Sequence, residues 1–204
     1  MEMVSRMAKI TKGRLNSIRA NWILVFFVLL FAYGAVGGTA QTELGRIDAA
    51  IDGQSQFAGK AYFFEGDRYI RYDWATDKVD PGYPKSIAEW NLPSGFTGDF
   101  DAVLNGGGPY SGKAYFFKGD QYVRYDWATD EVDPGYPKNI AEWNLPSGFT
   151  GDFDAALNGC GSYSGKAYFF KGDQYVRIDW ATDKVVDPGY PKPISGNWHG
   201  ITVD

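Results

Sequence analysis

The string "GRIDAAIDG" at Gly45–Gly53 returns as "GDFDAVLNG" at Gly98–Gly106 and as "GDFDAALNG" at Gly151–Gly159. The Asp of each Asp-Ala step falls at Asp48, Asp101 and Asp154, two intervals of 53 residues. A fixed period of this size means that one small structural unit is copied. Each copy is too small to bury its own apolar face and needs a neighbour to do so. The copies run over 46–98, 99–151 and 152–204. Lys60, Lys113 and Lys166 keep the step, as do Arg71, Arg124 and Arg177, and Trp74, Trp127 and Trp180. A second tryptophan per copy falls at Trp90, Trp143 and Trp198. The third copy departs late, with one extra residue at Val185-Val186 and a shortened stretch after Pro193.

Within a copy the pattern reads as short strands. In the middle one, "FDAVL" is a brief apolar run and "NGGGPYSG" must be loop. "KAYFFK" and "QYVRYD" carry the aromatic and β-branched residues that favour strands. Between them Gly119-Asp120 is a two-residue hairpin signal. The turn-rich "WATDEVDPGYPK" leaves room for one short outer strand near Glu131-Val132, and "NIAEW" for one helical turn. The aromatics of "AYFF" are contiguous rather than alternating, so both sheet faces are expected to be covered. A small antiparallel sheet of three or four strands, covered on both faces and repeated, is a propeller blade. An open solenoid is the alternative.

Ahead of the repeats, residues 1–21 are basic and Trp22–Val36 runs without a charge, followed by Gly38-Thr39-Ala40. That order is expected of a secretory signal over residues 1–40, and the alternative is an uncleaved membrane anchor. Cleavage after Ala40 leaves 15 Lys and Arg against 24 Asp and Glu, a net charge of −9. Such a surface repels phosphate backbones and argues against nucleic acid, while attracting polyamines or metal cations. The lone Cys160 rules out a disulfide within the chain. It leaves a bond between chains, a free thiol, or simple drift from Gly107, its counterpart.

The ordered set of an Asp-Ala-Ala or Asp-Ala-Val start, a Lys-Gly-Asp or Glu-Gly-Asp hairpin between aromatic strands, a Tyr-Pro-Lys turn and a closing Trp resembles the hemopexin repeat. The resemblance covers all three copies. It implies an all-β fold, a four-bladed propeller of which three blades are recognisable, and a binding module rather than an enzyme. "NWHGITVD" resembles the lead-in to a fourth blade. A piece of a longer protein is the first expectation, with association through open blade faces or Cys160 second and closure as three blades third. The resemblance also implies axial ions. Calcium would sit on the backbone carbonyls of Asp48, Asp101 and Asp154, and a second ion, chloride or sodium, at Ala50, Val103 and Ala156.

Other chemistry is weighed against plainer roles. The acidic sets Asp73/Asp77/Asp80, Asp126/Asp130/Asp133 and Asp179/Asp183/Asp187 lack the alternate ligands and central Gly of a calcium-binding helix–loop–helix, and Asp is common in turns. The aligned Lys and Arg either form anion-binding rings, or snorkel or pair with neighbouring Asp on the blade edges. Heme on paired histidines is ruled out, since His199 is the single His, and a five-coordinate heme on His199, Cys160 or a Tyr is the weaker expectation. No zinc-protease, nucleophile-elbow or phosphate-loop motif is present. The expected function is therefore a secreted module that binds a protein or cell-surface ligand. Binding of a polyamine or heme is the alternative, and a hydrolase the least favoured.

Overall fold

The computed structural model describes residues 44–201. The expected leader lies outside them, and among the described residues no helix is long and apolar enough to cross a membrane. Each repeat forms one antiparallel sheet. The first holds β1 (Ala49–Asp52), β2 (Lys60–Glu65), β3 (Arg68–Asp73), β4 (Lys78–Val79) and β5 (Lys85–Ser86). The second holds β6 (Ala102–Asn105), β7 (Lys113–Lys118), β8 (Gln121–Asp126), β9 (Glu131–Val132) and β10 (Lys138–Asn139). The third holds β11 (Ala155–Asn158), β12 (Lys166–Lys171), β13 (Gln174–Asp179), β14 (Val185–Val186) and β15 (Lys192–Pro193).

The expected hairpin turns are in place. Lys118 pairs with Gln121, so Gly119-Asp120 alone make the turn, with Gly119 at φ +58. The outer edge differs from the expected single strand. Both β4 and β5 pair with β3, at its opposite ends, so the edge is one strand broken by the turn-forming "DPGYP". The expected helical turn is a 3-10 turn over Ile140–Trp143, capped by Asn139, whose side chain accepts from the Ala141 amide at 2.8 Å.

Chain crossings between blades explain the glycine that opens the second and third repeat strings. Gly98 lies against the hairpin turn of its own blade at φ +128, and a Cβ there would stand 1.8 Å from the Gly66 carbonyl oxygen. Gly151 repeats this against Gly119. Any side chain would drive the crossing off the turn.

Most buried side chains collect between blades, and a smaller cluster of Tyr168, Tyr175 and Ile194 lies within blade 3. Phe64 and Trp90 of the first repeat interlock with Phe100, Phe116, Tyr125 and Trp127 of the second. Phe117 and Trp143 of the second do the same with Phe153, Phe169, Ile178 and Trp180 of the third. The innermost strands follow suit, β1 lying against β6 and β6 against β11. Three blades therefore share two cores, as expected when single blades cannot bury their aromatics.

Equivalent tryptophans thus differ sharply in setting: Trp127 and Trp180 are 1% exposed, and Trp74 is 37% exposed. Trp127→Ala is expected to cost about 3–5 kcal/mol and Trp74→Ala less than about 1 kcal/mol, read from denaturant unfolding of each variant. Equal costs would contradict the inter-blade placement of the core.

Candidate functional site

The axial residues singled out by sequence sit at the lead-in to the innermost strands. The backbone amides of Asp48, Asp101 and Asp154 donate to the carbonyls of Phe64, Phe117 and Phe170 at 2.8–2.9 Å. Their carboxylates turn back and accept from the hairpin amides of Gly66, Gly119 and Gly172 at 2.8, 2.6 and 2.7 Å. Asp48 also meets the Arg46 guanidinium at 2.6 Å. The Asp of the repeat string therefore ties the first strand to the hairpin of its own blade. Regular pairing in the second blade runs from Ala102, directly after this Asp, to Asn105. Val103 and Ala156 pack into the two inter-blade cores, whereas Ala50 is exposed on the outer face of blade 1.

The aligned cations form no ring. Lys60 bridges Asp73 and Asp80 at 2.7 and 3.0 Å, and Arg71 binds Asp80 at 2.6 Å. Lys113 and Arg124 repeat the arrangement with Asp126 and Asp133, as do Lys166 and Arg177 with Asp179 and Asp187. Tyr72 and Tyr125 donate to Asp77 and Asp130. The acidic sets are thus the anionic half of a repeated ion network. Among the described residues no group of three or more His, Cys, Asp or Glu side chains is placed to hold a metal. His199 and Cys160 are both exposed.

A ladder that sequence alignment did not reveal links the blades. Asn105 of blade 2 donates from its side chain to the Asp52 carbonyl of blade 1 at 2.7 Å, and Asn158 donates to the Asn105 carbonyl at 2.7 Å. The same side chains accept from Trp127 and Trp180 Nε1 at 2.7 and 2.9 Å. The signal was present in the last-but-one letter of the opening string, which is Asp52, then Asn105, then Asn158.

The extra residue of the third copy also lies elsewhere than expected. Val186 pairs with Ile178 as Val132 pairs with Tyr125, and Val185 pairs with Asp179 as Glu131 pairs with Asp126. Register therefore makes Lys184 the inserted residue. Its ammonium lies 4.1 Å from the Tyr110 ring centroid and 5.5 Å from that of Trp143. Burial pulls its pKa down, but the Tyr110 hydroxyl and Asp183 outweigh this and the net shift is upward, so the cation persists.

The outer faces of blades 1 and 3 keep the residues that bury elsewhere. Trp74 and Tyr163, the latter 55% exposed, stand at the places of Trp127 and Tyr110. These two faces are the candidate contact surfaces.

The ion networks set a pH window. The hydrogen bond from Lys60, then the Ala75 and Thr76 amides, hold Asp73 below the usual carboxylate range. Lys113 and Lys166 do the same for Asp126 and Asp179. Stability from these depressed carboxylates is present above about pH 4 and is lost as pH falls through the folded values. Lys60 and Lys166 are raised chiefly by Asp73 and Asp179, and burial pushes the Tyr62 phenol up to about 12. That share is present below about pH 10 and is lost as pH rises through the folded values. The thermal midpoint measured against pH is expected to be flat between these limits and to fall on both sides.

Comparison with known proteins agrees with this architecture. The Hemopexin family matches residues 47–94, 100–147 and 153–202. Vitronectin of Sus scrofa is 41% identical over 124 residues, covering 57% of this chain and 24% of its own length. The chain thus spans about a quarter of the length of such curated relatives. Among solved structures, the hemopexin fold protein CP4 from cow pea superposes with a TM-score of 0.60 at 27% identity, covering 75% of this chain and 69% of that one. A plant lectin with two metal binding sites from Cicer arietinum gives 0.54 at 28% identity, over 74% of this chain and 65% of that one. Three family matches in register with three sheets make this chain a member of the hemopexin family.

Proposed function

We propose that the chain is a non-catalytic extracellular binding module whose contact surfaces are the uncovered aromatic faces of blades 1 and 3. One observation carries this reading. The paired carboxylates and cations that a hydrolase or an anion site would need neutralise each other in every blade, while Trp74 and Tyr163 stand in solvent. Exposed aromatic surface of this kind marks recognition sites. The likeness to a lectin supports recognition over turnover, although a fold alone does not fix an activity. The basic, apolar and small-residue order of residues 1–40 supports export.

The test is binding of the labelled chain to an array of immobilised extracellular-matrix proteins, with and without the changes Trp74→Ser and Tyr163→Ser. Saturable binding is expected, weakened about tenfold or more in the double variant. Binding that ignores both substitutions would overturn the assignment of these faces.

An axial calcium ion belongs to the same reading. Asp48, Asp101 and Asp154 would hold it through their backbone carbonyls, with chloride at the backbone of Ala50, Val103 and Ala156. The adjacent first strands and the metal sites of the lectin neighbour support it. The carboxylates of Asp48 and Asp154 are engaged by hairpin amides, so they fix the strands rather than ligate. Three carbonyls supply part of the roughly six to eight oxygens that calcium takes, and water would complete the set. Native mass spectrometry is expected to show one calcium per chain that a chelator removes, with a lowered thermal midpoint. No retained divalent ion at millimolar calcium would remove this part of the proposal.

A further inference from the structure

The asparagines that bridge the blades are also the two Asn-Gly steps of the chain, Asn105-Gly106 and Asn158-Gly159. Such a step is chemically labile. With no side chain on the glycine, its backbone nitrogen can approach the Asn carboxamide and attack Cγ. The proton of that nitrogen and the carboxamide nitrogen leave as ammonia, and a cyclic imide closes between the two residues. Water then opens the imide at either carbonyl and leaves Asp or isoaspartate. Water is consumed, ammonia is released, and no oxidant or reductant takes part.

The fold holds the reacting groups off this path. Each Asn is the last residue of its strand, β6 or β11. The Gly106 and Gly159 amides donate to the Lys113 and Lys166 carbonyls at 2.8 Å, so the nitrogen that must attack is turned to the neighbouring strand. Each carboxamide is fixed at both ends. Its Nδ2 sits on a carbonyl of the preceding blade at 2.7 Å, and its Oδ1 accepts from Trp127 or Trp180 Nε1. Attack therefore requires these bonds to open together, and its rate in the folded chain follows the opening of the junction.

The two sites are not held equally. Asn158 Nδ2 grips the Asn105 carbonyl, which belongs to the same peptide group whose nitrogen must swing round at the other site. That peptide is pinned at its oxygen by blade 3 and at its nitrogen by Lys113. Gly106 is buried, whereas Gly159 is half-buried.

Blade 1 displays what the product does. Asp52 stands at the same place, is followed by Gly53, and accepts from Trp74 Nε1 at 3.0 Å. A carboxylate thus keeps the indole bond but has no proton to donate. At position 158 it would face the Asn105 carbonyl oxygen where a 2.7 Å hydrogen bond stood. Isoaspartate would also lengthen the main chain just before Gly159, whose amide pairs with Lys166.

We propose that Asn158-Gly159 and Asn105-Gly106 are spontaneous deamidation sites that convert in that order, and that each conversion irreversibly loosens the junction its asparagine bridges. Loss of the amide at 158 frees the Asn105 peptide, so the change runs from blade 3 toward blade 1.

The test is incubation of the chain at mildly alkaline pH, in urea and in native buffer, until conversion is measurable. Peptide mapping then resolves Asn, Asp and isoaspartate at each position. In urea the two sites are expected to convert within about twofold of each other, since both read Leu-Asn-Gly. In buffer both are expected to slow about tenfold or more, with Asn158 leading and Asn105 following after a lag. Asn158→Asp is expected to abolish the lag, to speed conversion at Asn105 about threefold or more, and to lower the thermal midpoint. Unsubstituted chains converted only at position 158, separated by ion exchange, give the same comparison without relying on the variant to fold. Conversion as fast in buffer as in urea would overturn the proposal. So would Asn105 converting first or without a lag, or an unchanged Asn105 rate once position 158 is acidic.

Discussion

Everything in this fold hangs on a tryptophan that leaves its own blade to be buried by the one before it. Trp127 and Trp180 each lie among the rings of the preceding blade, with centroids 5.6–5.9 Å apart. Each spends its single donor on the Asn that bridges the same two blades. The apolar burial supplies most of the free energy, and the hydrogen bond keeps the indole from being an unsatisfied polar group in a dry core. Because the side chain and its bridge act on one junction, losing either loosens two blades at once. No blade can be described as stable apart from its neighbour.

The polar framework is subordinate to that arrangement and explains why the surface offers so little chemistry. A lysine in the second strand of each blade reaches across to two aspartates, and an arginine closes the set. The groups are part-buried, so the network gains from low dielectric without the full cost of removing isolated charges from water. It fastens the interrupted outer edge, where β4 and β5 are too short to hold by pairing alone. Residues that look like anion sites or a calcium loop when read in a row are spoken for by one another once the strands come together.

Most of this architecture was legible in the sequence because period, aromatic runs and turn residues are local signals. The period gave three sheets, Gly119-Asp120 gave a hairpin turn, and "NIAEW" gave its helical turn. What escaped was information carried across blades. The Asp48, Asp101 and Asp154 carboxylates act on hairpins 18 residues away. The Asn bridges join residues 53 apart. The extra residue of the third copy looked like a doubled valine, because identity favours aligning like with like. Strand register instead assigns it to Lys184, at a loop where Asp183 and Lys184 both take positive φ. Differences between near-identical copies were easy to read as drift, yet Phe57, Tyr110, Tyr125, Ile178 and Lys184 change together because they meet at junctions.

The asparagine ladder has a direction. Each bridging side chain belongs to the later blade and each carbonyl to the earlier one. A repeat that carries this Asn brings its own donor to the backbone carbonyl of the blade before it, so this one bond sets no side-chain requirement on the earlier blade. Asp52 breaks that rule on one side only. The bond therefore gives the array a polarity: a blade with Asn at this place is fastened to the one before it, whereas Asp52 offers only its carbonyl to the blade after it.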